Sequence, residues 1–278
     1  MKSTLSKTTI SKSAVIDCEE FVVGKNSYIG PNVKITCRKF IAGDYLYMTD
    51  GVEVGRGGCN GVNSNVTIGD NVGIFENTII NPNSPVTIGD NTGIGCDVQI
   101  WTHGAWLDIT QGFPADFGPV SIGKNVWLPA RSIVLPNVTI GDNVVIGINS
   151  IINRSLPSGS FAAGSPCKVI KENAYPRKVS DDGLRSMVWN IIDDWTELME
   201  YKLKSHKDRR VRREISFEGT KIRYEKPNIF LNYNGEETIY NIIDKTMEGS
   251  SNKISEDLRD YLRRRGIKIY NGRVFKSI

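Results

Sequence analysis

Apolar residues recur along the middle of this chain with a period of six. Ile122, Leu128, Val134, Ile140, Ile146 and Ile152 follow one another without a slip, and glycine follows half of them, at Gly123, Gly141 and Gly147. An amphipathic helix needs apolar positions near every 3.6 residues, and a half-buried strand needs strict alternation. A six-residue period with recurrent glycine satisfies neither. It predicts a solenoid of short flat strands, each turning one aliphatic side chain inward. With three hexads closing a triangular coil, the predicted fold is mainly β, a left-handed parallel β-helix.

The frame begins near the N-terminus, where Ile16, Val23, Ile29, Ile35, Ile41 and Tyr47 carry it with one extra residue between Ile16 and Val23. It is lost from Glu53 to Asn65, a glycine- and asparagine-rich piece that reads as a corner or extruded loop. It returns at Ile68, Ile74 and Ile80, slips at Asn83 to Pro85, and continues through Ile88, Ile94 and Ile100. The phrase V-T-I-G-D-N starts at Val66, Val86 and Val138, and V-S-I-G-K-N starts at Val120. Each copy marks the same corner of a coil, where glycine and asparagine tolerate positive φ. Residues 10 to 160 leave room for about eight coils, a stack close to 40 Å tall at about 4.8 Å between strands. Between Ile100 and Ile122 the repeat is broken by an aromatic segment, with a loop over residues 103–119. A loop leaving a regular scaffold is where function is usually carried.

The composition shifts near Asn173, which divides the chain into a β-helix domain over 1–172 and a small α+β domain over 180–278. From Asp181 to Lys204, Leu184, Met187, Val188, Ile191, Ile192, Trp195, Leu198 and Met199 follow helical spacing. Short strands are predicted over 212–217, 221–225 and 228–233, while 237–247 is open between strand and helix. A helix starts at Ser255 and stops at Gly266, and an Asn-Gly hairpin closes the chain. The arginines of 209–213 and 263–265 alternate with acids and read as a solvated helix face.

Bulk properties narrow the function. Thirty-five basic and 31 acidic residues leave a net charge of +4, too little to argue for nucleic acid. The five cysteines, Cys18, Cys37, Cys59, Cys96 and Cys167, are scattered and form no C-x-x-C pair, so neither a disulfide framework nor a zinc site is indicated. Residues 1–13 lack the apolar core of a signal peptide, and no run reaches the length of a membrane span. The expectation is a cytoplasmic protein with reduced thiols and no metal.

Only two histidines are present. His206 falls beyond the apolar stripe of the long helix and reads as a surface residue. His103 stands where the hexad frame breaks, flanked by Trp101, Thr102 and Gly104. A neutral imidazole there is able to take a proton from an attacking hydroxyl, help worth about 10²–10⁴-fold in rate. The competing reading is a loop histidine held by a structural hydrogen bond.

The hexads, His103 before a loop, the stretch P-V-S-I-G-K-N-V-W-L-P-A-R-S-I-V-L-P-N-V-T-I-G-D-N-V-V-I-G and the ending A-A-G-S-P-C-K-V-I-K together resemble the hexapeptide-repeat acyltransferases, and within them the sugar and polysaccharide O-acetyltransferases. The resemblance covers residues 10 to 172 and leaves the C-terminal domain untouched. It implies an acetyl-CoA-dependent transfer of acetyl to a sugar hydroxyl, with a sugar or polysaccharide acceptor and a homotrimer whose active sites lie between subunits. His103 matches the family's catalytic base, and Trp127 matches a tryptophan lining the donor thioester site. The family's oxyanion-holding N–H falls on Ala130, although Pro129 stands where glycine is usual. Lys168, with Arg154 and Lys171 behind it, matches the phosphate-facing positions along the last coils; for Arg154 a solvated edge is an equal reading. Asn137 replaces a glycine and requires positive φ. Asn81 either orients the acceptor or is a plain turn asparagine. Trp106, Phe113 and Phe117 either form a platform for a sugar ring or pack the loop onto a neighbour. The alternatives are N-acetylation of an amino sugar nucleotide and a scaffold without catalysis. A carbonic anhydrase on this scaffold needs three histidines and is excluded.

Overall fold

The computed structural model describes residues 8–59, 61–203, 209–211 and 214–274. The chain divides into two compact units, Met1–Arg177 and Lys178–Ile278.

The first unit is a left-handed parallel β-helix with three flat faces. Its first face stacks Thr9–Ile10, Tyr28–Ile29, Tyr47–Met48, Gly73–Ile74, Gly93–Ile94, Trp127–Leu128, Val145–Ile146 and Phe161–Ala163, all parallel. Lys168–Lys171 closes that face antiparallel to Phe161–Ala163. The second face runs through Glu53–Val54, Ile79–Asn81, Gln99–Trp101, Ile133–Val134 and Ile151–Ile152. The third runs through Asn65–Ile68, Val86–Ile88, Val120–Ile122 and Thr139–Ile140. In the first two coils, Val15–Val23 and Lys34–Ala42 pass from second to third face without a break.

The period of six is this geometry seen in one dimension. Every anchor from Ile68 to Ile152 points into the prism and is at most 3% exposed. Each buried isoleucine contributes roughly 1.5–3 kcal/mol, and together they form one continuous core. Parallel ladders satisfy the strand backbone, and the corners are closed by residues that accept left-handed φ. Asn71, Asn91, Asn125 and Asn143 sit at φ between +56° and +59°. Their side chains bond in series from coil to coil, at 2.8, 2.7 and 3.0 Å. The V-T-I-G-D-N phrase is therefore a corner with an asparagine ladder.

Near the start the frame differs from the expectation. Ala42 and Met48 point inward, while Ile41 and Tyr47 are only half-buried. The first two coils are nineteen residues long, Thr9 pairing with Tyr28 and Tyr28 with Tyr47. The second coil thus takes up an extra residue, just as the first does.

All such irregularity falls at one corner. Inward anchors stand six apart wherever the chain passes from first to second face or from third to first, as in Ile94 to Ile100 and Ile122 to Leu128. The spacing widens only from second to third face: Ile35 to Ala42, Val54 to Ile68, Ile80 to Ile88 and Ile100 to Ile122. One edge of the prism collects every inserted residue.

The second unit is α+β. Helix α1 (Asp181–Leu203) and helix α2 (Lys253–Arg264) share a core with a six-stranded antiparallel sheet spanning Arg209–Val211 to Thr246–Gly249. The stretch 237–247 resolves into strands, Glu236–Asn241 and Thr246–Gly249, and Arg209–Val211 is a strand rather than a helix face. Helix α2 begins before Ser255, because Asn252 and Ser255 form a reciprocal capping box. The second strand of the expected closing hairpin runs past Val274, outside the described residues, and residues 267–274 hold no strand. The buried Arg259 guanidinium donates to the carbonyls of Arg273 and Val274 at 3.2 and 3.1 Å. His206 lies outside the described residues.

Candidate active site

The irregular edge carries loop 55–64, corner 82–85 and loop 103–119 in three consecutive coils, whose second-face strands are hydrogen-bonded neighbours. Trp101 is in register with Asn81, so His103 stands just past the end of the ladder. Its imidazole is half-exposed, and Nδ1 lies 2.8 Å from Asn81 Oδ1. Asn81 is fully buried, and its Nδ2 donates to the carbonyls of Gly55 (2.9 Å) and Gly57 (3.2 Å). Thr102, also buried, donates its hydroxyl to the Asn81 carbonyl at 2.7 Å and accepts the Ser84 N–H at 2.9 Å. Loop 55–64 thus reaches the histidine through a single amide.

The loop after His103 folds back on it. His103 and Phe117 are antiparallel partners with rings stacked 5.9 Å apart at 21°, and Trp101 meets the imidazole edge-on at 6.5 Å. From the next coil Asn137, at φ +64°, donates Nδ2 to the Phe117 carbonyl at 3.2 Å. Gly118 lies beneath it, where a Cβ would fall 1.7 Å from Asn137 Oδ1 and displace that side chain. At the loop's tip Asp108 caps a short 3₁₀ turn, Ile109–Gln111. The Thr110 hydroxyl and N–H hold its carboxyl below the usual carboxylate range.

The remaining expected site residues lie elsewhere on the prism. Trp127 is on the first face, 42% exposed, and its ring lies across Gly93. A register row on that face runs from Trp127 through Val145 and Phe161 to Lys171, with Lys168 on the same closing strand. Ala130 follows Trp127 at the first-to-second corner, and among the described residues its N–H meets no acceptor. Arg154 is exposed at the second-to-third corner, apart from Lys168 and Lys171.

The structure therefore brings His103, Asn81 and Phe117 together, and separately Trp127, Lys171 and Lys168. It does not bring the two groups to one corner of a single chain. Asn81 is fully buried, and its amide is bonded within the chain to His103, Gly55 and Gly57. Trp106 is 95% exposed and Phe113 43% exposed. Sequence reasoning missed Gly55 and Gly57. The available signal was that the frame breaks at Val54 and Ile100 fall on the same face-to-face transition.

Residues 119–154 match the family described as bacterial transferase hexapeptide (six repeats). The chain is 39% identical over 152 residues to the galactoside O-acetyltransferase of Escherichia coli K12, covering 55% of this chain and 57% of that protein. It spans little more than half the length of the curated relatives it matches. Among solved structures it aligns with the polySia-specific acetyltransferase NeuO at 22% identity and TM-score 0.40, over 63% of this chain and 89% of that one. It also aligns with a mutant of AntD, an N-acyltransferase from Bacillus cereus in complex with dTDP and coenzyme A, at 23% identity and TM-score 0.42, over 66% and 91%. Over its solenoid the chain is similar to hexapeptide-repeat acetyltransferases, the galactoside O-acetyltransferase among them.

Proposed function

We propose that this protein is an acetyl-CoA-dependent O-acetyltransferase acting on a hydroxyl of a sugar, in a bacterial surface polysaccharide or its precursor. The observation that carries the reading is His103, an imidazole fixed by a buried amide on the edge of the prism that collects every inserted residue. His103 accepts the proton of the acceptor hydroxyl as its oxygen attacks the thioester carbonyl. The Ala130 N–H holds the oxygen of the tetrahedral intermediate, where one such donor is worth about 2.7–4 kcal/mol. The imidazolium then returns its proton to the leaving thiolate, releasing free CoA and the acetyl ester. Trp127 lines the thioester, and Lys168 and Lys171 face the phosphates of CoA at the far end of the first-face row.

Because His103 and Ala130 project from different corners of one chain, each site is completed by a second protomer. A closed homotrimer supplies this arrangement, and the exposed Trp106 and Phe113 find their contacts there. We assign the activity to residues 1–172 and give 180–278, with its own core, no part in the chemistry. Among the described residues no helix is long and apolar enough to cross a membrane. Dependence on acetyl-CoA points to the cytoplasm.

The test is a screen of purified protein with acetyl-CoA against sugars, sugar nucleotides and oligosaccharides, reading free thiol. Transfer to a hydroxyl, reduced about 10²–10⁴-fold in His103→Ala with CoA affinity kept, is the expected result. Transfer only to amines, or full activity in His103→Ala, would refute it.

A further inference from the structure

We infer that loop 55–64 sets the protonation pattern of His103, acting through Asn81. The inference rests on the catalytic role proposed for His103 and concerns how that role is enforced. Asn81 has one acceptor and one donor end, and its direction is decided by its neighbours. Two carbonyl oxygens, of Gly55 and Gly57, face one end at 2.9 and 3.2 Å. Only the NH₂ group satisfies both, and rotating the amide would set Oδ1 against two carbonyl oxygens in a fully buried site. Oδ1 is therefore the atom facing His103 Nδ1 at 2.8 Å, and an oxygen acceptor requires a proton on that nitrogen. In the neutral ring the lone pair is then confined to Nε2. When Nε2 takes a proton, Nδ1–H keeps the same bond to Asn81, so the base needs no rearrangement during turnover.

The loop is tied down at a second point. Asn83 Nδ2 donates to the Gly58 carbonyl at 2.5 Å, and a Cβ added at Gly58 would fall 2.8 Å from that nitrogen and 3.6 Å from His103 Cε1. At Gly55 the backbone takes φ +137°, and a Cβ would meet the Thr36 carbonyl oxygen at 2.8 Å. Gly55 has no room for a side chain there, and Gly58 lies beside the imidazole. Asn81, Gly55 and Gly57 are positioning residues, since they act on the reaction through His103.

The experiment uses full-length protein with ¹⁵N-labelled histidine, the His103 signals being assigned by their loss in His103→Ala. The neutral ring is expected to show a protonated Nδ1 and an unprotonated Nε2. Asn81→Ala and Gly55→Ala should shift the proton toward Nε2 and lower kcat while the KM for acetyl-CoA holds. The loss in kcat should be at least about tenfold, approaching about 10⁴-fold where the wrong tautomer dominates. Gly61→Ala, in the same loop with open space around its Cβ, should keep both the tautomer and the rate. A protonated Nε2 in the parent protein, or an Nδ1 proton that survives Asn81→Ala, would overturn the inference. The two ideas fail separately. An Asn81-dependent tautomer without acetyl transfer upholds the lock and sinks the activity, whereas His103-dependent transfer with a tautomer indifferent to Asn81 does the reverse.

Discussion

Gly93 supports the Trp127 ring, and replacing it with alanine isolates that support. Its φ lies outside the left-handed region, so alanine fits the backbone and only space is at issue. The new Cβ would stand 2.6 Å from Trp127 Cε3 and 2.8 Å from Cζ3, against an ordinary contact of 3.4–4 Å. The ring must therefore move outward by roughly 1 Å, the difference between those distances and normal packing. Overpacking a closed core costs about 1–3 kcal/mol, and a ring that is 42% exposed takes the lower end by swinging into solvent. For a unit of this size, about 1 kcal/mol lowers Tm by roughly 2–4 °C. Loss of aromatic contacts to the acyl donor, about 0.5–1.5 kcal/mol, translates into CoA binding weakened about 2- to 12-fold. Calorimetric titration of CoA into Gly93→Ala measures this, and the Tm comes from the same preparation. Unchanged CoA affinity in a protein whose Trp127 emission has shifted would refute the placement of the donor on this face.

Other consequences follow from the same geometry. Asn137→Gly keeps the positive φ and removes only the bond to the Phe117 carbonyl, so amides of the 103–119 loop should exchange faster while Tm falls by no more than about 0.5–1.5 kcal/mol equivalent. Asp90 is held below the usual carboxylate range, chiefly by the Lys124 ammonium at 2.7 Å. A depressed folded pKa gives stability that is present above the unfolded value of about 3.9 and lost as pH falls through the folded one. Lys124→Ala should therefore melt below wild type at pH 7 and match it near the acid limit, and an equal gap at both would contradict this. The Cys18 thiol is lowered to about 7 by the hydrogen bond from Cys37, whose sulfur lies 3.7 Å away, whereas burial pushes Cys59 up to about 11. Iodoacetamide at neutral pH should label Cys18 well before Cys59, as peptide mapping would show.

The faces of the prism were legible because burial repeats. Ile68 through Ile152 announce the interior by period alone, and the V-T-I-G-D-N corners announce positive φ by composition. Where the coil length changes, the pattern misleads: Ile41 and Tyr47 keep a six-residue rhythm that the nineteen-residue coil has already left. The candidate histidine was legible as a break in the repeat. Its support was not, because Asn81 and the Gly55 carbonyl are 26 positions apart and meet only when coils stack. Backbone carbonyls also leave no mark in a sequence. In the second unit an Asn-Gly pair favours a hairpin locally, while the Arg259 guanidinium donates to the carbonyls of Arg273 and Val274 just beyond it.

The account depends most on a site whose halves come from different protomers, and mixing two inactive variants tests this directly. His103→Ala removes the proposed base, and Trp127→Asp sets a carboxylate at the proposed donor site. Each alone should be inactive. Unfolded together and refolded at equal amounts, they should regain about a quarter of wild-type acetyl transfer, because random assembly pairs an intact His103 with an intact Trp127 in that share of interfaces. No recovery from properly assembled mixed oligomers would contradict the shared site.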